Sequence, residues 1–537
     1  MTTFDNFNAI NMRCLLSLIL LLGIPNFVLA QSHSPFSHTY YANYEKDFHA
    51  LGVSYHTSIK PYDLSLVDSV CFRSFDPIST SKTHLFQFLN DNLLFVETAD
   101  YALRLNPLMH FEFGNDNGAN KFVNSRGAEV KGRVGSRLRF YSAFHEKQLT
   151  LPSHVEDFIF DNQYVLPGQG MVRKSTFFND TVVDLYNANA YVNYQASSYI
   201  DVELGHGKHF FGDGYRSLLL SDNSFNYPYF KITTQFWRLK YVNLFSSMQH
   251  LNRINSNDIS QEKMSAIHYL SANVGNRLTI NLFESIMLGE DSLGHVFDIN
   301  YLNPVIFYRP VEYSINYSRH GNAIIGLGMK YKLTDLSHVY GQLILDEFTL
   351  KQLKAQNGYW ANKYGGQIGF KWFDVLGYEN LTLQSEVNIV RPFTYSHKQP
   401  ILNYAHYAQP LAHPYGASFV EHLTILRYRK DRWSADLLVN FSQKGGSING
   451  DSTNYGNDIF VSYDDNRNDF GNDIAQGNTT ELSYLDARIG YLINPTINLK
   501  FEVGLANRVA QDMNTRNESN YFFISLKTDL SNIYYDF

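Results

Sequence analysis

The most regular signal along this chain is an alternation of apolar and polar residues with a period of two. Tyr186, Ala188, Ala190, Val192 and Tyr194 share one side of the pattern; Asn187, Asn189, Tyr191, Asn193 and Gln195 share the other. It resumes past Ser197 and Ser198, where Ile200, Val202 and Leu204 oppose Tyr199, Asp201 and Glu203. Successive strand side chains point to opposite faces, so these residues predict a β-hairpin with one apolar and one hydrated face. Leu381, Leu383, Val387 and Ile389 alternate in the same way with Thr382, Gln384, Glu386 and Asn388. Trp433, Ala435, Leu437, Val439 and Phe441 alternate with Ser434, Asp436, Asn440 and Ser442, and Ile497 to Leu505 with Asn498, Lys500 and Glu502. Over the last residues Ile533, Tyr535 and Phe537 oppose Asn532, Tyr534 and Asp536, which predicts a final strand ending on an aromatic.

Such an ending has the form of an outer-membrane assembly signal, read by the barrel-assembly machinery through a C-terminal strand ending at Phe537. The other end of the chain agrees. Residues 15–22 are apolar except Ser17, Arg13 precedes them, and Val28-Leu29-Ala30 offers a small-residue cleavage site, so residues 1–30 read as a signal peptide. Cys14 lies before the apolar run, which disfavours a lipoprotein site. No other run reaches the ~20 apolar residues of a spanning helix. Alternating strands hide from hydropathy because lipid-facing and lumen-facing residues average out, so a slightly negative mean hydropathy is no argument against a membrane protein. The expected fold is all-β: a transmembrane antiparallel β-barrel of about 16–18 strands in the outer membrane of a Gram-negative bacterium, surrounded by outer-membrane lipid.

Composition narrows the partners. Export would leave Cys71 as the single cysteine, too few for an internal disulfide framework. A formal net charge of −7 without a basic patch argues against nucleic acid. The chain has 38 Tyr and 40 Phe, more than a globular core needs; in a barrel they suit interfacial girdles or sugar-stacking surfaces. Residues 31–100 lack the period of two, and Leu85, Phe86, Phe88, Leu89 and Leu93 fit a helical face. They predict a small N-terminal periplasmic helical element or plug ahead of a barrel over 101–537. Long loops are expected at 205–228, 392–418 and 445–480, from their Gly, Pro, Asn and Asp content.

At Gly205-His-Gly-Lys-His-Phe-Phe-Gly-Asp-Gly-Tyr-Arg-Ser the chain resembles the capsule-assembly Wzi-like family of outer-membrane proteins, whose relatives include gliding-motility barrels of the RemB type. Asn124-Ser-Arg-Gly-Ala-Glu-Val-Lys-Gly, Tyr301-Leu-Asn-Pro-Val-Ile-Phe-Tyr-Arg-Pro and Tyr340-Gly-Gln-Leu-Ile-Leu-Asp-Glu-Phe also match, as do Asn388-Ile-Val-Arg-Pro-Phe-Thr-Tyr-Ser-His and Gln409-Pro-Leu-Ala-His-Pro-Tyr-Gly-Ala. The resemblance implies a barrel of about 18 strands with a periplasmic helical bundle. It also implies a lectin-like role in holding surface polysaccharide. The gliding relatives imply an alternative, a subunit of a motility or secretion apparatus with protein partners. A solute channel is a third reading.

Other chemistries fit less well. Gly205, Gly207, Gly212 and Gly214 lack the strand-loop-helix context and Gly-Lys-Ser/Thr spacing of a phosphate loop. His206, His209 and Asp213 match no standard zinc spacing, so neither a metal nor another cofactor is expected. Glu112, Glu129, Asp201, Glu203, Asp346, Glu347 and Glu386 could supply a carboxylate pair for glycoside hydrolysis, but strand carboxylates are ordinarily solvated or ion-paired. A Gly-x-Ser-x-Gly elbow is absent, and a non-enzyme is expected. Polysaccharide binding needs aromatic faces for sugar C–H surfaces and Asn, Asp or Arg for hydroxyls. Three sets combine these: Asp213, Tyr215 and Arg216; Trp360 and Asn362; Arg391, Tyr395, Tyr404 and His406.

Overall fold

The computed structural model describes residues 33–64, 89–177, 180–251, 260–290, 296, 299–305 and 321–537. The expected signal peptide, Cys71 and the helical face at 85–88 lie outside them. Eighteen long strands close into one antiparallel barrel. In chain order β1 to β6 are Tyr101–Asp116, Ala119–Val134, Leu138–Leu149, Asp180–Gln195, Ile200–Gly207 and Tyr227–Phe236. Strands β7 to β12 are Leu239–His250, Gln261–Val274, Leu278–Leu288, Asn322–Lys332, Ser337–Glu347 and Lys363–Phe373. Strands β13 to β18 are Leu381–Val390, Phe419–Lys430, Trp433–Lys444, Thr480–Asn494, Leu499–Gln511 and Arg516–Thr528. The seam is β18 on β1, from Tyr521 opposite Asp116 to Lys527 opposite His110. Closure pairs each of the eighteen long strands on both sides, the condition for a sheet to sit in lipid; the short strands Leu94–Glu97 and Arg173–Phe177 add to β1 and β4 on one side only.

The alternation read from the sequence sorts over most of these segments, but not at 497–500, where Ile497 and Leu499 are buried along with Asn498 and Lys500. Tyr186, Val192, Tyr194, Leu204, Ile389, Leu437, Phe441, Phe501 and Leu505 are exposed on the outside. Asn193, Glu203, Gln384, Glu386, Asn388, Asn440 and Glu502 are buried in the lumen. Rings at Tyr101, Tyr199, Phe236, Trp237, Tyr378 and Trp433 stand exposed near one barrel end, as an interfacial girdle does. That end carries only short connections, such as 196–199, 237–238 and 431–432, and there β1 begins and β18 ends. The opposite end carries long ones at 150–179, 208–226, 391–418 and 445–479.

The lumen is filled from both ends. Segment 33–64, with two short helices (α1, His38–Tyr41; α2, Glu45–His49), enters from the short-turn end. Lys332 donates to the carbonyls of Ala50 and Val53 (2.8 and 2.9 Å), Lys371 pairs with Glu45 (2.8 Å), and His33 meets Glu203 (2.6 Å). Segment 208–226 folds back from the long-loop end, and the two meet where Ile59 and Lys60 pair with Phe211 and Phe210. Segment 33–64, the plug, thus lies in the lumen, while Leu94–Glu97 pairs with the start of β1 in the wall.

One expectation is corrected. The last strand ends at Thr528, not at Phe537. Residues 529–537 turn inward: Tyr534 donates to Asp222 (2.8 Å), Asp536 pairs with Arg216 (2.7 Å), and Phe537 packs on Phe158 of helix α3, Ser153–Asp161 (ring centroids 4.7 Å). Their alternation comes from an extended segment held between two lumenal surfaces rather than from pairing in the sheet.

Candidate functional site

The three sequence-derived sets separate in space. The first lies inside the barrel. Asp213 is buried, accepts from Thr57 of the plug and faces Lys330 at 3.4 Å. Arg216 is 2% exposed and pairs with Glu421 (3.1 Å) and Asp536 (2.7 Å). Burial opposes its charge, but the Asp536 and Glu421 carboxylates outweigh it and hold the guanidinium above its ordinary pKa. The backbone N–H groups of Tyr215 and Arg216 both donate to Glu386 (2.8 and 2.9 Å). This needs glycine next door, because a Cβ at Gly214 would stand 2.6 Å from Glu386 Oε2. Tyr215 packs on His38 and Tyr534 (4.7 and 5.5 Å) and lines a lumenal cavity of about 250 Å³.

Most of the third set caps the lumen from the long-loop end. Tyr395 and Tyr404 are fully buried, and their hydroxyls donate to the carbonyls of Leu218 and Leu219 (2.7 and 2.8 Å), pinning the re-entrant segment. Burial raises both phenol pKa values. His406 accepts from the Gln249 N–H (3.0 Å) and meets the Asn226 carbonyl (3.2 Å). Asp213, Arg216, Tyr395, Tyr404 and His406 are therefore engaged in internal contacts, with no face toward the outside.

The outward-facing site forms around the second set. Segment 348–362 carries helix α4, Leu350–Ala355, then doubles against segment 445–479. Trp360 N–H donates to the Asp469 carbonyl (3.1 Å), Gly471 N–H to Asn357 (2.9 Å) and Asn472 N–H to Gly358 (3.0 Å). Gly358 adopts φ +66, and a Cβ there would stand 2.6 Å from Asn472 N, so only glycine permits this closeness. Asn362 is buried and structural: its side chain accepts from Thr349 N–H (2.8 Å) and its carbonyl from Arg391 (2.9 Å). Arg391 also donates to the Asn472 carbonyl (3.2 Å), tying both segments to the cap.

The result is an aromatic platform. Arg467 lies over Trp360 (3.7 Å to the ring centroid) and Tyr463 stands 4.8 Å away. Tyr359 adjoins Phe470 (5.5 Å), itself 51% exposed. Asp464, Asp465, Asn466, Asn468, Asp469 and Asp473 stand exposed around these rings. Asp464 is held by Lys398 (3.1 Å) and Arg467 (2.6 Å), and the Lys398 ammonium above all keeps its pKa below the ordinary carboxylate value. Tyr463 is pushed up to about 12, by burial and then by Glu347 and Asp464. Sequence reasoning missed Tyr359, Tyr463, Arg467 and Phe470. The Asn/Asp/Gly-rich loop was visible, but its pairing with Trp360, about a hundred residues earlier, was not.

Three of the carboxylates considered for glycoside hydrolysis face Lys or His side chains: Asp346 meets Lys363, Glu203 meets His33 and Lys231, and Glu112 meets His110. His206, His209 and Asp213 reach different partners: the Ala188 carbonyl, Tyr227 and Thr57. Among the described residues no group of three His, Cys, Asp or Glu is placed to hold a metal.

No protein-family model matches the chain, and no curated protein matches it. Among solved structures it is similar to Wzi of Escherichia coli, described as an outer-membrane protein involved in group 1 capsule assembly and a carbohydrate-binding β-barrel. Identity is 11%, coverage is 93% of this chain and 100% of that one, and the TM-score is 0.54. Pseudomonas aeruginosa OprD (10% identity, 79% and 94% coverage, TM-score 0.42) and Acinetobacter baumannii OccAB2 (11%, 80% and 99%, 0.43) are looser matches. What this chain shares with Wzi at that identity is a fold, the closed transmembrane β-barrel.

Proposed function

We propose that this protein is an outer-membrane barrel of the Wzi-like kind that binds or organises cell-surface polysaccharide. The short turns face the periplasm and the long loops the outside, as in other outer-membrane barrels. The observation that carries the reading is the platform of Tyr359, Trp360, Tyr463 and Phe470, ringed by Asp and Asn and braced by backbone hydrogen bonds above a filled lumen. The exposed Phe470 ring and the partly exposed Tyr359, Trp360 and Tyr463 beside it offer apolar area for sugar C–H faces, and the surrounding amides and carboxylates accept from or donate to hydroxyls. A braced platform loses little conformational entropy on binding. Trp360 and Arg391 are retained from the sequence-derived candidates as an aromatic contact and a bracing group; Tyr215 faces the internal cavity.

The test is binding of the source cell's surface polysaccharide to detergent-purified protein. Saturable binding that weakens in Phe470→Ala and Trp360→Ala, with the barrel still folded, supports the reading. Absence of binding, with a stable protein complex co-purifying through exposed Phe348, Leu350 and Leu353, overturns it in favour of a motility or secretion subunit.

A further inference from the structure

We infer that the cavity inside the barrel binds a small anionic ligand, a carboxylate or a phosphate, with Lys147 as the anchoring cation. The site lies apart from the outer platform and does not depend on the function proposed above. The cavity, of about 250 Å³, lies between Ser37–Thr39 of the plug and His154 of α3, and is walled by β1 to β4, β14 to β18 and the inward-turned segment. Its volume is far above the ~10–15 Å³ that one water needs and suits a ligand of monosaccharide size. Ser531 on its wall is exposed, so solvent reaches it.

Six Lys and Arg side chains line the cavity, and five are engaged. Arg427 meets Asp436 (3.7 Å), Arg488 meets Asp486 (2.6 Å), Lys500 meets Asp529 (2.9 Å), Lys527 meets Glu502 (2.6 Å), and Arg508 donates to the Phe537 carbonyl (2.9 Å). The remaining carboxylates on the wall are taken as well, Glu112 by His110 (3.2 Å) and Asp536 by Arg216 (2.7 Å). Lys147 is the exception. It is 7% exposed, its acceptor is the neutral Gln169 Oε1 (2.5 Å), and among the described residues no carboxylate stands within ion-pair distance. Its neighbours across the sheet, Ser125 and Leu185, carry no charge. Two residues back along β3, on the same face, the Nε2 atom of His145 is buried with no partner. A buried ammonium with one neutral acceptor is costly, and an anion supplies what it lacks. At ~3.4 Å per residue the two side chains start about 7 Å apart, a gap that one carboxylate or phosphate group can bridge, accepting from Lys147 and from a His145 N–H. Val123, Leu149 and Leu151 give the rest of the ligand an apolar wall.

The experiment measures binding of galacturonate, galactose and inorganic phosphate to the purified full-length barrel by calorimetry, with the thermal midpoint read in parallel. At least one of the two anions is expected to bind at least about tenfold more tightly than galactose, as a hydrogen bond to a charged group requires. Galacturonate binding assigns the site to carboxylates, and phosphate binding assigns it to phosphates. Lys147→Met should weaken that binding at least about tenfold. It should leave the ligand-free midpoint unchanged or higher, because it removes an uncompensated buried charge. Phe470→Ala, at the platform, should leave anion binding as it is. Galactose binding as tightly as both anions, failure of either anion to bind, or anion binding that survives Lys147→Met overturns the inference. A ligand-free midpoint that falls in Lys147→Met also overturns it, by assigning Lys147 to holding Gln169.

Discussion

Replacing Arg216 by Met tests whether the filled lumen is held by charge. The guanidinium joins three parts of the chain: its own re-entrant segment, Glu421 on β14 and Asp536 of the inward-turned segment. Removing one partner of a buried ion pair typically costs about 3–5 kcal/mol. The two carboxylates left behind differ. Glu421 keeps His413 (2.7 Å), Asn440 (2.9 Å) and Asn388 (3.0 Å). Among the described residues Asp536 keeps no side-chain donor, since Oδ2 meets only Arg216 and Oδ1 has no partner. Most of the loss therefore falls on Asp536, and the lower end, about 3 kcal/mol, is expected. At about 1.4 kcal/mol per tenfold, amide exchange in 208–226 and 529–537 should speed up by about a hundredfold, while the barrel strands stay protected. Asp536→Asn added to Arg216→Met should recover about 2 kcal/mol by removing the stranded charge. Exchange that rises less than about threefold, or a double variant no better than the single one, would refute the argument.

Other outcomes follow from the same geometry. Gly358→Ala should separate segment 348–362 from 445–479 and weaken polysaccharide binding, read together with protease cleavage near Phe470; unchanged cleavage rules the contact out as a brace. Acidification should loosen the plug, because burial, helped by Lys240 and Lys330, holds His56 down at about 3, and burial with His338 and Lys330 nearby lowers His49. Both stay neutral when docked, so below the unfolded pKa near 6.5 the released plug takes up protons that the docked one does not, and docking weakens by about 1.4 kcal/mol per pH unit per histidine. Proteolysis of 33–64 should increase between about pH 6.5 and pH 4 and less so in His56→Gln; a pH-independent rate contradicts this. Phe537→Ala should free segment 529–537 from α3 without opening the β18–β1 seam, so heat-modifiable gel mobility should stay that of a closed barrel.

The barrel was legible in the sequence because lipid and lumen impose opposite polarities on alternate residues, and hairpins such as 186–204 carry that contrast without interruption. The ending was misread for a physical reason: Tyr534 and Asp536 face the re-entrant segment while Phe537 faces α3, so a lumenal segment copies the period of a strand. Loops were legible as loops, but composition does not distinguish one that folds back into the lumen from one that faces outward. Tyr395, Tyr404 and His406 therefore looked as available as Trp360, and only the fold shows that their polar atoms anchor the cap.

The short ladder joining Ile59 and Lys60 to Phe211 and Phe210 gives the molecule a continuous load path. From the plug the path runs into the re-entrant segment and through the Leu218 and Leu219 carbonyls to Tyr395 and Tyr404. It continues from the Phe393 N–H to the Gly456 carbonyl (2.8 Å), inside the acidic outer segment. If the platform holds a polysaccharide as proposed, a pull on it would pass along these contacts to Lys332 and Lys371, where the wall grips the plug. In that case the interior would act as a tie rod between the two ends of the barrel.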